Sequence, residues 1–284
     1  MTEPTVLLSG LGIPESPRWH EGRLWFCNWV DRQVVAVNPD GSPEVVVAEA
    51  TSPQRPMGYS IDWLPDGRLL MTGDDLRRQE PDGSMVTIAE QRANEIVVDG
   101  RGNVYLNGAD FDFAGGEAPK PGYVKLLTPD GELCQVADDI QFPNGMVITP
   151  DNRTLIISES FAGRLTAFDV GPDGGLVNRR VFAEGLGPDG ICLDAEGAVW
   201  VSDGGSAIVR VAEGGRVLQR VELSESRAPF ALMLGGPDRR TLFILTAEWR
   251  KADGITNNLD RLANGPRTGQ ILTLPVEVPG AGRP

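Results

Sequence analysis

One pattern recurs six times along the chain: an apolar residue, a short polar turn, then a run of strand formers. It reads Trp19-HEG-RLWF, Trp63-LPDG-RLLM, Val98-DGRG-NVYL, Ile148-TPDN-RTLI, Leu193-DAEG-AVWV and Leu234-GGPDRR-TLFIL. The leading residues are separated by 44, 35, 50, 45 and 41 positions. Each copy is followed by a second apolar segment and turn, as in VVAVNPDGSPEVVV and YVKLLTPDGELCQVA. Alternating or β-branched runs closed by DG, EG or GG are hairpin signals. Six units of about 45 residues, each with room for four short strands, predict an all-β fold, a six-bladed β-propeller. It is read as a single domain over residues 1–284. A β-sandwich needs no constant period, and a solenoid of this period would be helical. The sixth unit has only one clear strand, QILTLPVEV, after its hairpin, while TVLLSGL at residues 5–11 resembles outer strands such as EVVVAEA. The N-terminal strand is therefore expected to join the last blade and close the ring, which removes an open sheet edge.

The 35 glycines and 22 prolines among 284 residues supply the turns that such a fold needs. A net charge of −14 with no basic patch argues against nucleic acid. No stretch approaches the roughly 18 apolar residues of a membrane span, and the N-terminus lacks a basic start and apolar core. Cys27, Cys134 and Cys192 are far apart and form no CxxC pair. They read as small buried apolar residues of a reducing compartment, and the expected location is cytoplasmic, with no membrane and no obligatory protein partner. His20, the one histidine, sits in the turn-like WHEGRLW. Ser-His-Asp, Cys-His and two-His metal sites would all depend on it, so chemistry here must lean on carboxylates, amides or a metal. Two polar, Gly-rich insertions at residues 109–122 and 248–268 break the period, and either could cover a site as a lid.

The innermost strand of each propeller blade lines the channel, and the loop entering it opens on one face. Four residues before each leading apolar position stand Glu15, Tyr59, Asn94, Asn144, Asp189 and Phe230. Four of these six carry side-chain oxygens of metal-ligand type, and the shared register aims them at one cavity. Glu15, Asn144 and Asp189 each follow a proline directly. Asn144-Gly and Asp189-Gly also read as plain turn dipeptides. As ligands, Glu, Asn and Asp are hard oxygen donors suited to Ca²⁺, Mg²⁺ or Mn²⁺, and three of them leave positions for water and substrate. Without a cation, two carboxylates in one channel would repel each other. Arg92 and Asn94, from the third unit, are candidate substrate contacts, with Tyr59 and Phe230 as an apolar wall.

The segments LSGLGIPESPRW, IDWLPDGRLLM, FPNGMVITPDNRTLIISES, PDGICLDAEGAVWVSDG and LGGPDRRTLFILTA, in this order, resemble the SMP-30/gluconolactonase/luciferin-regenerating-enzyme family. The resemblance spans nearly the whole chain. It implies a six-bladed propeller lactonase with one divalent metal on Glu15, Asn144 and Asp189. Calcium is the first expectation, with Zn²⁺, Mn²⁺, Mg²⁺ or Fe²⁺ also used by members. It also implies substrate contacts at Arg92 and Asn94, and at Glu95, which stands where members carry an acidic residue after that Asn; Tyr59 is expected to line the substrate with them. The reaction expected is hydrolysis of a small sugar lactone, with Asp189 orienting the attacking water or accepting its proton. Alternatives are a propeller hydrolase of non-sugar lactones or phosphotriesters, and a non-catalytic calcium-binding propeller.

Overall fold

The Asp-Gly pairs turn the chain by two local devices. The Asp carboxylate accepts the backbone N–H two residues on: Asp40 from Ser42 at 2.9 Å, Asp66 from Arg68 at 3.1 Å, Asp82 from Ser84 at 2.9 Å and Asp99 from Arg101 at 2.8 Å. The glycine then takes the left-handed backbone, with φ of 84° at Gly41 and 85° at Gly67 and Gly83, which costs a residue without Cβ nothing in steric clash. At the tightest hairpin Glu21 and Gly22 are both left-handed (φ 48° and 75°), the mirror-image turn that matches strand twist.

These hairpins build six four-stranded antiparallel sheets, in a computed structural model that describes residues 3–38, 40–48, 58–111 and 117–282. Five sheets are sequential meanders. Their inner strands are Pro14–His20, Ile61–Trp63, Ile96–Val98, Pro143–Ile148 and Cys192–Leu193, followed outward by three strands each. The sixth runs outward from Arg227–Gly235 through Thr241–Glu248 and Gly269–Pro275 and ends on Thr5–Leu11. The N-terminal strand pairs antiparallel with Gly269–Pro275, from Thr5 opposite Thr273 to Leu11 opposite Gly269. The fold is thus the six-bladed propeller with the ring closed as the sequence predicts.

Apolar side chains gather between the blades rather than at one centre. Among the described residues, six apolar clusters each bridge two adjacent sheets, as Val147, Ile156 and Leu165 of blade 4 meet Ile191, Leu193 and Val201 of blade 5. Every sheet is therefore covered on both faces. This explains why middle strands such as Thr241–Glu248 read as unbroken apolar runs instead of alternating. Cys27 and Cys192 belong to these layers, but Cys134 departs from expectation: it lies exposed on the outer strand Leu133–Ile140. His20 is half-buried, stacked on Trp63 at 4.0 Å, at the end of the inner strand opposite the mouth.

The 248–268 insertion is not a loose loop. Lys251–Asp253 form a 3₁₀ turn and Gly254–Asn264 an α-helix. Asn258 and Leu262, one helical turn apart, are its buried residues. Leu262 packs with Ile13, Ala247, Phe230 and Trp249, and Arg267 pairs with Asp31 at 2.8 Å. The helix is thereby fastened over blades 6 and 1 at the mouth. Within the 109–122 insertion, residues 112–116 lie outside the described residues.

Ring closure buries parts of Leu7, Leu8 and Leu11 against the cluster between blades 6 and 1. Deleting residues 1–11 should cost about 3 kcal/mol and lower the melting temperature by about 10 °C. Differential scanning calorimetry checks this, and an unchanged melting temperature would contradict the closure.

Candidate active site

Two of the repeat-matched residues owe their aim to broken strand register. In the inner strand of blade 1, pairing shifts between Glu15 (opposite Cys27) and Arg18 (opposite Trp25), and Ser16 within the shift is left-handed at φ 48°. In blade 4, pairing shifts between Pro143 and Met146, preceded by left-handed Phe142 at φ 59°. Such bulges re-aim a side chain that regular alternation would send elsewhere. The shifts at these two sites carry Glu15 and Asn144.

The glycines of Asn144-Gly145 and Asp189-Gly190 serve close approach. Neither has a positive φ. A Cβ on Gly145 would lie 2.7 Å from the Asp189 carbonyl oxygen and 2.8 Å from the Gly190 Cα. One on Gly190 would lie 2.5 Å from the Ala231 Cβ and 2.8 Å from its Cα. The missing side chains let blades 4, 5 and 6 meet at the axis. Ser158 Oγ donates to the Asp189 carbonyl oxygen and Ser160 Oγ to that of Pro188, both at 2.7 Å, while Gly190 N–H donates to Phe230 O at 2.7 Å. Asp189 is thus held by its backbone from both sides.

Glu15, Asn144 and Asp189 come together. Glu15 is buried, and Asn144 and Asp189 are half-buried. Asn144 stands beside the Asp189 carboxylate, which it helps keep ionised, and its Nδ2 lies 3.4 Å from Ser160 Oγ. Burial pushes the Glu15 carboxyl well above the usual carboxylate range, and the charges of Asp189 and Glu95 push it further. Burial and then the Glu95 charge raise Asp189 to about 7, against the lowering effect of the Asn144 and Gly190 hydrogen bonds. Glu95 is 4% exposed, and its two oxygens accept the hydroxyls of Ser16 and Ser60. The buried Arg18 guanidinium lies 3.6 Å from Glu95 and 3.9 Å from Asp62.

Of the other expected residues, Asn94 is half-buried and donates to Pro143 O at 3.3 Å, and Arg92 is exposed on the rim. Tyr59 packs in the cluster between blades 1 and 2, with its hydroxyl 2.9 Å from Gln33 O, and so turns toward blade 1. Phe230 lies under the helix, edge-on to Trp249 at 5.8 Å. Sequence reasoning missed Ser16, Arg18, Ser60, Asn107, Ser158 and Ser160. Asn107 Nδ2 donates to Asn144 O at 2.6 Å, and its buried Oδ1 has no partner among the described residues. Serines and asparagines in strands carry no spacing signal that would have marked them.

The donor set fits a hard divalent cation. Among the described residues no three carboxylate, imidazole or thiol groups form a metal cage. Two carboxylates and one amide do converge, and the carboxylates cannot all ionise cheaply without a cation. Such a set leaves coordination positions for water and substrate.

Residues 13–248 match the SMP-30/Gluconolactonase/LRE-like region. The chain is 32% identical over 169 residues to the 6-deoxy-6-sulfogluconolactonase of Pseudomonas putida, covering 56% of this chain and 55% of that protein. The match thus spans little more than half of the Pseudomonas protein. With the regucalcin of Xenopus laevis it is 26% identical over 264 residues, covering 84% of this chain and 86% of that one. Among solved structures, a calcium-binding protein, regucalcin, from Agrobacterium tumefaciens superposes with a TM-score of 0.78. The superposition covers 100% of this chain and 96% of that one at 21% identity, a likeness of fold.

Gly145→Ala drives a methyl group into the Asp189–Ile191 backbone and should cost about 1–3 kcal/mol, read by chemical denaturation. A neutral substitution would contradict the close approach. The carboxylates give a signed pH dependence. Glu15 and Asp189 lie above their unfolded values, so their contribution to metal-free stability is fully present below about pH 4. The Asp189 part is lost as pH rises through about 7, and the Glu15 part as pH rises through that group's own raised value. Melting of chelator-treated protein between pH 5 and 8 should show this fall, flattened in Asp189→Asn.

Proposed function

The chain belongs to the SMP-30/Gluconolactonase/LRE-like family, and from that premise we propose that it hydrolyses a small lactone to its hydroxy acid, using one divalent ion held by Glu15, Asn144 and Asp189. The observation that carries this reading is the convergence of these three side chains, from three blades, with both carboxylates pushed toward neutrality. A sugar lactone is the substrate class to test first, given the lactonase name of the Pseudomonas relative. Calcium is the first ion to test.

When bound, the ion supplies Lewis acidity to a carbonyl and lowers the pKa of a water. The protein supplies the rest. The Asn144 amide nitrogen faces Ser160 Oγ, so its carbonyl oxygen is the atom left for a cation. Asp189 accepts the proton of the attacking water as the C–O bond forms. It returns that proton to the ring oxygen as the lactone C–O bond breaks, which leaves a carboxylic acid and a hydroxyl. Asn94 and the exposed Arg92 hydrogen-bond the lactone's oxygens and fix its approach.

Activity should vanish in chelator and return with a divalent ion, and Glu15→Ala and Asn144→Ala should weaken ion binding while the fold survives. Asp189→Asn keeps an oxygen but removes the charge and the basic lone pair. At saturating metal, with occupancy measured separately, its turnover of a sugar lactone should still lag by about 10²–10⁴-fold. Near wild-type turnover in the saturated variant would leave Asp189 a ligand alone.

A further inference from the structure

Glu95 is one of three mutually repelling carboxylates whose side chains meet near the mouth, buried like Glu15, and both of its oxygens accept protein hydroxyls. One oxygen accepts the Ser16 hydroxyl of blade 1 and the other accepts the Ser60 hydroxyl of blade 2 at 2.7 Å. A carboxylate from blade 3 therefore ties together the inner strands of three blades. Arg18, two residues beyond Ser16, reinforces the tie: its Nη2 donates to Ile96 O, beside Glu95, at 2.7 Å and stands 3.6 Å from the Glu95 carboxylate.

Ser16 is where this tie acts on the site. It holds a left-handed backbone that residues with a Cβ disfavour, and it sits inside the bulge that turns Glu15 toward Asp189. Its N–H also donates to Glu15 Oε2 at 3.2 Å. Ser16 thus touches Glu15 through its backbone and Glu95 through its hydroxyl. Without an anchor for that hydroxyl, the strand can relax toward regular pairing, in which alternation would move the Glu15 carboxylate.

We propose that Glu95 is a positioning residue: through Ser16 it fixes the Glu15 carboxylate for the cation, and it does not contact substrate. The inference rests on the metal reading above. It assigns Glu95 a role different from the substrate contact expected from sequence.

The test separates ion affinity from substrate affinity. Chelator-treated protein is titrated with Ca²⁺ by calorimetry, and KM for a sugar lactone is measured apart, at saturating Ca²⁺. Glu95→Asp keeps the charge but shortens the reach. Ser16→Gly removes the hydroxyl while accepting the left-handed backbone, so its fold is preserved. Both should weaken Ca²⁺ binding by about tenfold, the lower end for groups that orient a metal ligand, with KM within about twofold of wild type. A raised KM with unchanged Ca²⁺ affinity would overturn the proposal and make Glu95 a substrate contact. Weakened binding in Glu95→Gln with wild-type binding in Glu95→Asp and Ser16→Gly would overturn it in favour of charge alone. If wild-type protein binds neither Ca²⁺ nor Mn²⁺, the metal reading fails and takes this inference with it. Ion binding that is equal in all the variants defeats this inference only.

Discussion

Six sheets that meet edge-on around an axis cannot pair their inner strands with one another as a continuous sheet. The polar backbone at the mouth must nonetheless find partners, because a buried carbonyl or N–H without one is costly. In this protein side chains of other blades supply many of them: between neighbours Asn94 to Pro143, Asn107 to Asn144, Ser160 to Pro188 and Ser158 to Asp189, and from blade 1 past blade 2 to blade 3 Arg18 to Ile96. The same need for satisfaction that holds the ring together thus fixes the frame around Glu15, Asn144 and Asp189. Site geometry and blade docking are one set of interactions.

Crowded carboxylates are the consequence. Glu15, Glu95 and Asp189 repel one another in a place that burial already makes hostile to charge, with Arg18 as the buried guanidinium beside them. Well-packed apolar layers between the blades carry the folding energy, so the axis can keep an arrangement of crowded carboxylates that is itself unfavourable.

Much of this was legible because the repeat fixes register. The blade number, the closing strand at residues 5–11 and the convergence of Glu15, Asn144 and Asp189 all follow from counting back from Trp19, Ile148 and Leu193. Where the count misled, tertiary packing decided. Tyr59 occupies the matching position but spends its hydroxyl on Gln33 of blade 1. Gly145 and Gly190 look like turn glycines, yet they are small because neighbouring backbone stands under 3 Å from where a Cβ would sit. The 248–268 segment looks like a polar loop because its helix buries only Asn258 and Leu262, too few for an apolar period to show. The Ser16 and Ser60 contacts of Glu95 join residues 79 and 35 positions apart in sequence, and no local pattern announces them.

The closing strand also sets an order of events in time. Thr5 and Thr273 share a hydroxyl contact across 268 residues of chain. Blades 1 to 5 can form from neighbouring hairpins as they are synthesised, whereas blade 6 must recruit a segment that precedes blade 1 in the chain. Long-range pairing of this kind is slow, because the loop-closure entropy is spent before any contact repays it. Until it happens, the Gly269–Pro275 strand presents a bare edge to any other strand in reach, including that of a second molecule. Yield on refolding should therefore be governed by protein concentration during this last step, more than by the stability of the finished ring.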